Sequence, residues 1–148
     1  MLPAGTRTRG PRTWGLILSL TTVLLLAACG GAAAITPLPS GAEPPADCAR
    51  ADASNVITFS AQNLMFSAPC IVAPADTAFT IRFTNHDSVP HDVALYADET
   101  RNNEYFRGDT IMGPDKTIDY AIDPIPAGDH FFDCIVHPAD MYGSLYVR

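Results

Sequence analysis

Three side chains with soft or borderline donor atoms lie close together near the end of the chain. They are Cys134, His137 and Met141, on one short run of sequence. Thiolate and thioether sulfurs favour soft ions such as Cu(I), and imidazole suits copper and zinc. A second histidine would complete a His₂Cys site with a weak axial Met, the donor set that tunes copper for electron transfer. The spacing therefore predicts a metal site that lacks one donor.

Each of these donors also has a structural explanation. Cys134 fits a buried structural thiol or a disulfide partner, and His137 fits an exposed loop residue. Met141 fits core filler, because methionine adapts to irregular gaps. Their joint presence on one loop, with another histidine available upstream, favours metal binding over three separate explanations.

The donors must be held by strands, since strand-like runs flank them on both sides. Short β-rich runs, interrupted by Gly, Pro, Asn and Asp, fill the chain from Cys48 onwards. In one run Phe79, Ile81 and Phe83 alternate with polar residues. This pattern, without an amphipathic helix or internal repeat, indicates an all-β antiparallel β-sandwich or barrel. The predicted strands are 56–61, 64–67, 77–85, 91–96, 105–112, 117–122, 130–134 and 143–147, with a crossover loop over 97–104.

Three other histidines compete for the missing position. His91 begins a predicted strand and shares its inward parity with Val93 and Leu95, as a donor at a loop end of the sandwich would. His86 lies in a polar turn, where we expect it to be solvated. His130 precedes Cys134 by four residues on the same strand, so we expect a buried or partly buried structural residue away from the site. His91 is therefore the predicted fourth donor.

Two segments resemble the parts of the cupredoxins, the small blue copper proteins, that carry the metal ligands. They are NHDSVPH at 85–91 and FDCIVHPADMYGSL at 132–145, and the resemblance extends over 56–148. It implies a Greek-key antiparallel β-sandwich or barrel with one type 1 copper ion on His91, Cys134, His137 and Met141. It also implies a single-electron carrier rather than an enzyme, with unidentified redox partners such as a cytochrome or a copper enzyme.

The resemblance carries further expectations about the surroundings of the site. His137 should be the ligand closest to solvent. Asp92 stands where relatives often have Asn, so any brace to the donor loop should differ. His130 stands where an aromatic residue is common. We also expect an apolar docking patch formed by Ile135, Val136, Pro138, Ala139, Met112 and Pro114.

The N-terminal segment is typical of an export signal. Arg7, Arg9 and Arg12 precede a short apolar stretch at 16–28. The tetrad Leu-Ala-Ala-Cys ending at Cys29 resembles the bacterial lipobox, which implies a signal peptide over 1–28 and a lipidated Cys29; an ordinary secretory signal is the alternative. Residues 29–47 are rich in Pro, Ala and Gly and are predicted to form a tether. The folded domain is predicted over 48–148, on a protein anchored to a bacterial membrane and facing the periplasm or the extracellular side.

The other cysteines fit an oxidising compartment. With Cys29 assigned to lipid and Cys134 to copper, Cys48 and Cys70 remain, and we expect them to form a disulfide. Two unpaired thiols are the alternative. A bridge of this loop size contributes on the order of 3 kcal/mol in the chain-entropy model.

Charge excludes one class of partner. The whole chain has 9 basic and 16 acidic residues. Three of the arginines precede Cys29, so residues 29–148 carry 6 − 16 = −10, with histidine neutral. Nucleic-acid binding needs a basic surface, and adhesion to anionic lipid by charge is equally disfavoured. The expected membrane contact is therefore the lipid, and the domain is expected to be a monomer.

The same sequence bears on several other functions. Four histidines are too few for a multicopper oxidase, and a binuclear CuA site would need a second cysteine in the donor loop. No hydrolytic motif stands out. The main rival is a copper carrier or sequestering protein in copper homeostasis, and a third possibility is a structural domain without metal.

Overall fold

The computed structural model describes residues 41–148. The predicted signal peptide, Cys29 and the first part of the tether lie outside the described residues. Within the described part, no helix is long and apolar enough to cross a bilayer. The strands of this part are β1 Ala49–Arg50, β2 Val56–Gln62, β3 Met65–Phe66, β4 Cys70–Ala73, β5 Phe79–Asn85, β6 Pro90–His91, β7 Ala94–Tyr96, β8 Glu104–Arg107, β9 Ile111–Met112, β10 Lys116–Ile122, β11 Gly128–Asp133 and β12 Tyr142–Val147.

Two sheets pack against each other and enclose one core. One has the order β1-β4-β12-β11-β7-β8 and the other the order β10-β5-β2-β3, while β6 and β9 form a small third sheet. Phe59 of β2 meets Phe132 of β11 edge to face across the core, with ring centroids 5.5 Å apart. Such aromatic pairs add stability beyond the burial of their area. The predicted all-β sandwich is confirmed.

Alternating apolar residues produce the core-facing side of β5. Phe79, Ile81 and Phe83 are buried, as predicted. On the outer side, Arg82 donates two hydrogen bonds to Asp119 on the neighbouring β10. Side chains alternate between the two faces of a strand, so this one run supplies both the core and a cross-strand ion pair.

Strand direction and two strands escaped the sequence-based prediction. β1 and β4 were not predicted, because each is short and lacks clear alternation. β4 pairs in parallel with both β1 and β12, and β2 pairs in parallel with β5. Alternation reports which face of a strand is buried and is the same for either direction, so it could not reveal these parallel pairs.

Two predicted strands are each interrupted. The predictions of one strand over 91–96 and one over 105–112 were wrong, because β6 and β9 separate from β7 and β8 to form the small sheet. The break is marked by the N–H of Gly108, which donates to the carbonyl of Val93 at 2.9 Å. A Cβ at Gly108 would lie 2.7 Å from the ring of Tyr120, so only glycine fits this approach.

A disulfide and two arginines fasten the beginning of the described chain to the sandwich. Cys48 and Cys70 are bonded, as predicted. Arg50 donates to the carbonyls of Pro44 and Pro45 at 3.1 and 3.0 Å, and Arg148 donates to the carbonyl of Ala42 at 3.5 Å. Residues 42–47, predicted as tether, therefore contact the domain.

Candidate metal centre

Three donor atoms from two separate segments converge at one end of the sandwich. The Sγ of Cys134 lies 3.8 Å from the Nδ1 of His91 and 3.8 Å from the Nδ1 of His137. One donor atom from each residue falls within 4.8 Å of the others. We call His91, Cys134 and His137 the donor group. Two imidazole nitrogens and a sulfur around one point match a site for copper or zinc.

Backbone hydrogen bonds close the loop that carries most of the donors. This donor loop, residues 134–141, connects β11 to β12. The N–H of His137 donates to the carbonyl of Cys134 at 3.0 Å, and the N–H of Met141 donates to that of His137 at 2.9 Å. The N–H of Cys134 in turn donates to the carbonyl of Met141 at 2.9 Å. The loop positions are thus fixed by the main chain.

Met141 and His137 differ in exposure. The side chain of Met141 is buried and lies near the donor group. His91 and Cys134 are also buried, whereas His137 is partly exposed. His137 is therefore the member of the donor group nearest to solvent, as expected. The role of all four residues as metal ligands stays a prediction.

Asp92 braces the donor loop with a buried carboxylate. Its Oδ1 accepts the N–H of Ile135 at 2.7 Å, and its Oδ2 accepts the hydroxyl of Thr110 at 2.8 Å. The residue directly follows His91 and is 1% exposed. One side chain therefore joins the His91 segment, the donor loop and the segment before β9. We expected this brace to differ from one made by Asn. Both oxygens of Asp92 accept hydrogen bonds, whereas an Asn amide would accept with one atom and donate with the other.

Asp87 holds the second nitrogen of His91. The Nε2 of His91 lies 3.0 Å from the Oδ2 of Asp87. A carboxylate only accepts, so this contact places the proton on Nε2 and leaves the Nδ1 lone pair directed toward Cys134. Hydrogen bonds from the backbone N–H groups of Leu64 and Asn63 hold the pKa of Asp87 below its usual range, which keeps the acceptor charged.

Asn85 organises the turn between Asp87 and His91. The side chain is fully buried, and its Nδ2 donates to the carbonyls of Val89 and Ile111 at 2.8 and 2.9 Å. Its Oδ1 accepts the N–H of Asp87 at 2.8 Å. Sequence reasoning missed both Asn85 and Asp87. The available signal was the polar run at 85–88, which ends three residues before His91, because Asn, Asp and Ser side chains in turns commonly bond the nearby backbone.

The thiol of Cys134 sits in an environment that opposes its ionisation. Burial raises the pKa of Cys134, and backbone N–H groups of Asp92, His137 and Val136 act against this rise. Within the described residues it is the free cysteine. A thiolate is the form that binds metals, so a cation at this position must compensate for the missing solvation.

A second buried carboxylate lies directly before the thiol. Asp133 is 1% exposed and pairs with Arg101, which reaches over from the loop between β7 and β8. Arg101 also donates to the carbonyl of Pro138 at 3.2 Å and lies over the ring of Phe131. Burial raises the pKa of Asp133 while Arg101 opposes that rise. Through this pair and the bond to Pro138, Arg101 connects the loop between β7 and β8 to the donor loop.

The two remaining histidines lie outside the donor group. His86 is exposed, and its Nδ1 lies 2.6 Å from the Oδ1 of Asp115. His130 is partly buried, with its ring nitrogens against the carbonyls of Ala97 and Pro126. Its ring meets that of Tyr105 edge to face. Both positions agree with the sequence-based expectations.

Exposed apolar side chains lie on the donor loop beside His137 and on β9. Val136 is 40% exposed and Met112 is 59% exposed, on the donor loop and on β9. Pro138, Ala139 and Pro114 are exposed as well, and Ile135 is partly buried. Pairing of Met112 with Pro90, next to His91, brings β9 to the same end of the sandwich. The residues predicted for a docking patch thus belong to the segments that carry or adjoin the donors.

Similarity to known proteins appears at the level of structure. No family model matches the sequence, and no curated protein matches it significantly. Auracyanin A from Chloroflexus aurantiacus, described as a "blue" copper protein, is 19% identical with a TM-score of 0.55, over 63% of this chain and 98% of that one. Reduced auracyanin from Roseiflexus castenholzii is 19% identical with a TM-score of 0.55, over 66% and 99%. Auracyanin B is 17% identical with a TM-score of 0.55, over 76% and 96%.

These likenesses cover nearly the whole of each auracyanin. The part of this chain that they span is of the size of the described sandwich. At this level of identity the comparison concerns the fold. The described residues therefore have the cupredoxin fold.

Proposed function

We propose that the protein is a type 1 copper protein that transfers single electrons between redox partners. The observation that carries the proposal is the convergence of two histidine Nδ1 atoms on the Cys134 sulfur at 3.8 Å each. His91, Cys134 and His137 would hold the ion, and Met141 would supply a weak axial thioether. Copper in such a site cycles between Cu(II) and Cu(I).

The chain's own contribution would be rigidity. Electron transfer is fast when the donors move little between the two oxidation states. The donor loop is closed by its backbone hydrogen bonds, and Asp92 ties it to the segment of His91. Fixed surroundings of this kind also tune the potential through the polarity around the sulfur.

Location and partners belong to the same proposal. The lipobox-like sequence ending at Cys29 supports export and a lipid anchor on a bacterial membrane, which lie outside the described residues. A net charge of −10 over residues 29–148 favours a basic partner, through steering. We propose a monomer that exchanges electrons at the apolar end around His137 with a cytochrome or a copper enzyme.

Titration of the apoprotein with Cu(II) tests the proposal. We expect an intense blue thiolate-to-copper band at one equivalent and a reversible one-electron wave. Cys134→Ser should abolish the band and His91→Ala should weaken binding, because each removes one donor. His86→Ala is the matched control, since that histidine is exposed and outside the donor group. Absence of copper binding by the wild-type protein would overturn the proposal.

The same titration separates the rival function. A copper carrier would use the same donors and release the metal readily. Rapid transfer of copper to a competing chelator or acceptor protein, without a reversible wave, would support a role in copper delivery or sequestration. The closed donor loop supports retention, because its backbone hydrogen bonds hold the donors in place without a metal.

A further inference from the structure

The carboxylate of Asp87 connects a surface hairpin to a residue of the donor group. Its Oδ1 accepts the N–H of Asn63 at 2.8 Å, and its Oδ2 accepts the N–H of Leu64 at 3.1 Å. The same Oδ2 lies 3.0 Å from the Nε2 of His91. Three N–H groups from two segments that are distant in sequence thus bond to one carboxylate, whose side chain is 16% exposed.

The hairpin between β2 and β3 is a two-residue turn that presents its amides to this carboxylate. Asn63 and Leu64 have φ angles of 55° and 57°, and Gln62 pairs with Met65 across the turn. Two successive positive φ angles are typical of a type I′ turn, in which Asn is common and Leu is not. The charged acceptor compensates for this unfavourable residue by binding both N–H groups.

The backbone of Asp87 is held by the side chain of Asn85. Its N–H donates to the buried Oδ1 of Asn85, whose Nδ2 bonds the carbonyls of Val89 and Ile111. These bonds hold the backbone from which the carboxylate projects, independently of His91 and of the hairpin. It acts as a fixed point between the two.

We propose that Asp87 is a positioning residue that fixes the ring of His91 with Nδ1 directed at the metal and couples that ring to the 62–65 hairpin. The inference deepens the proposed function and rests on it for the effect on copper. The hairpin carries Leu64 and Met65, which are 42% and 62% exposed. A partner that contacts this hairpin would therefore be connected to His91 through two hydrogen bonds, one from Leu64 to Asp87 and one between Asp87 and His91.

A carboxylate behind a histidine raises the basicity of the other ring nitrogen, which favours Cu(II) over Cu(I). Removing the charge should therefore lower affinity for Cu(II) more than affinity for Cu(I). The His86–Asp115 pair offers a matched control, because it has the same chemistry at 2.6 Å and lies outside the donor group.

The first experiment uses the full-length apoprotein and NMR. In the wild type, His91 should be the Nε2–H tautomer, and the amides of Asn63 and Leu64 should be protected from exchange. Asp87→Ala should accelerate exchange of both amides at least tenfold and mix the His91 tautomers. Asp87→Asn should keep the bonds of Oδ2 to Leu64 and His91, so only the Asn63 amide should accelerate. Asp115→Ala should change neither amide.

The second experiment loads the same variants with copper. Asp87→Ala should weaken Cu(II) binding about 10–100-fold. Asp87→Asn, which keeps the contact and loses the charge, should shift the preference toward Cu(I) about tenfold, equivalent to a rise of about 59 mV for a one-electron couple. Asp115→Ala should leave both values unchanged.

The outcomes distinguish this inference from the function on which it rests. If the wild type binds no copper, the proposed function fails, and the tautomer and amide exchange of the apoprotein still decide the role of Asp87. If copper binds but both Asp87 variants keep the wild-type potential, tautomer and amide exchange, the inference is overturned. Asp87→Asn preserves the size of the side chain and covers the case in which Asp87→Ala fails to fold.

Discussion

Individual carboxylates define the surroundings of the donor group. Asp92 accepts two hydrogen bonds at 1% exposure, and Asp87 accepts bonds from the hairpin and from His91. The Asp92 carboxylate is buried, so its removal is costly, because the N–H of Ile135 then loses its partner. Both residues directly flank or precede His91, so the segment 85–92 carries a donor together with its supports.

At the residue scale, Asp92→Ala should destabilise the apoprotein by about 2 kcal/mol, because it leaves the N–H of Ile135 and the hydroxyl of Thr110 without their acceptor. Urea unfolding measures this change, and the amide of Ile135 should lose protection from exchange. Asp109→Ala is the control, since Asp109 is exposed beside Thr110 and should shift stability by less than about 0.5 kcal/mol. Equal effects of the two substitutions would contradict the brace.

At the scale of elements, the loop between β7 and β8 is tied to the donor loop by one side chain. Arg101 reaches from that loop to the buried Asp133 and to the carbonyl of Pro138. Exposed ion pairs contribute little to stability, whereas a buried carboxylate that loses its partner is costly. Because Asp133 is buried, this ion pair should contribute more to stability than the exposed pairs, such as Arg107 with Glu104.

Arg101→Met should destabilise the protein by about 2 kcal/mol, since it leaves Asp133 buried without its cation. Arg107→Met removes the pair with Glu104 on β8, at 54% exposure of the arginine, and should cost less than about 0.5 kcal/mol. Thermal or urea unfolding of the two variants compares them directly. If Arg101→Met were as mild as Arg107→Met, the pair would not fasten the loop.

Local sequence patterns predicted the buried faces and the donor loop, whereas features that depend on contacts between distant segments were not predicted. The alternation in β5 predicted its buried face, and the spacing of Cys134, His137 and Met141 predicted the donor loop. The interruption between β6 and β7 could not be predicted, because it is marked by a hydrogen bond to Val93 from Gly108, in another part of the chain. The role of Asp87 was hidden for the same reason, since its hydrogen bonds come from the 63–64 turn.

At the scale of the whole molecule, the domain is negatively charged overall but exposes apolar side chains at the donor end. Residues 29–148 carry −10 overall, whereas the donor end exposes Val136 and Met112. A small apolar area beside the most accessible donor suits brief contact with a partner, because it can be desolvated without burying charge. The acidic remainder of the surface acts over longer distances.

Self-exchange of electrons between copper-loaded copies should slow at least tenfold in Val136→Asp, because a carboxylate at the contact must be desolvated against its own copy. Ala78→Asp adds the same charge directly before β5, at the end remote from Asn85, and should change the rate less than about twofold. NMR line broadening in mixtures of Cu(I) and Cu(II) protein measures both rates. A wild-type rate in Val136→Asp with an intact blue band would contradict the docking patch.

The contacts of Arg50 and Arg148 hold residues 42–45 against the sandwich. Arg148 bonds the carbonyls of Gly128 and Ala42, so the chain enters beside the start of β11, whereas Cys134 follows its end. Six strand residues at roughly 3.3 Å each separate the two levels by about 20 Å. A molecule attached to an electrode beside Ala42 would therefore stand with the end that carries His137 directed away from the electrode. Currents should then report exchange with dissolved partners more readily than direct contact with the metal surface.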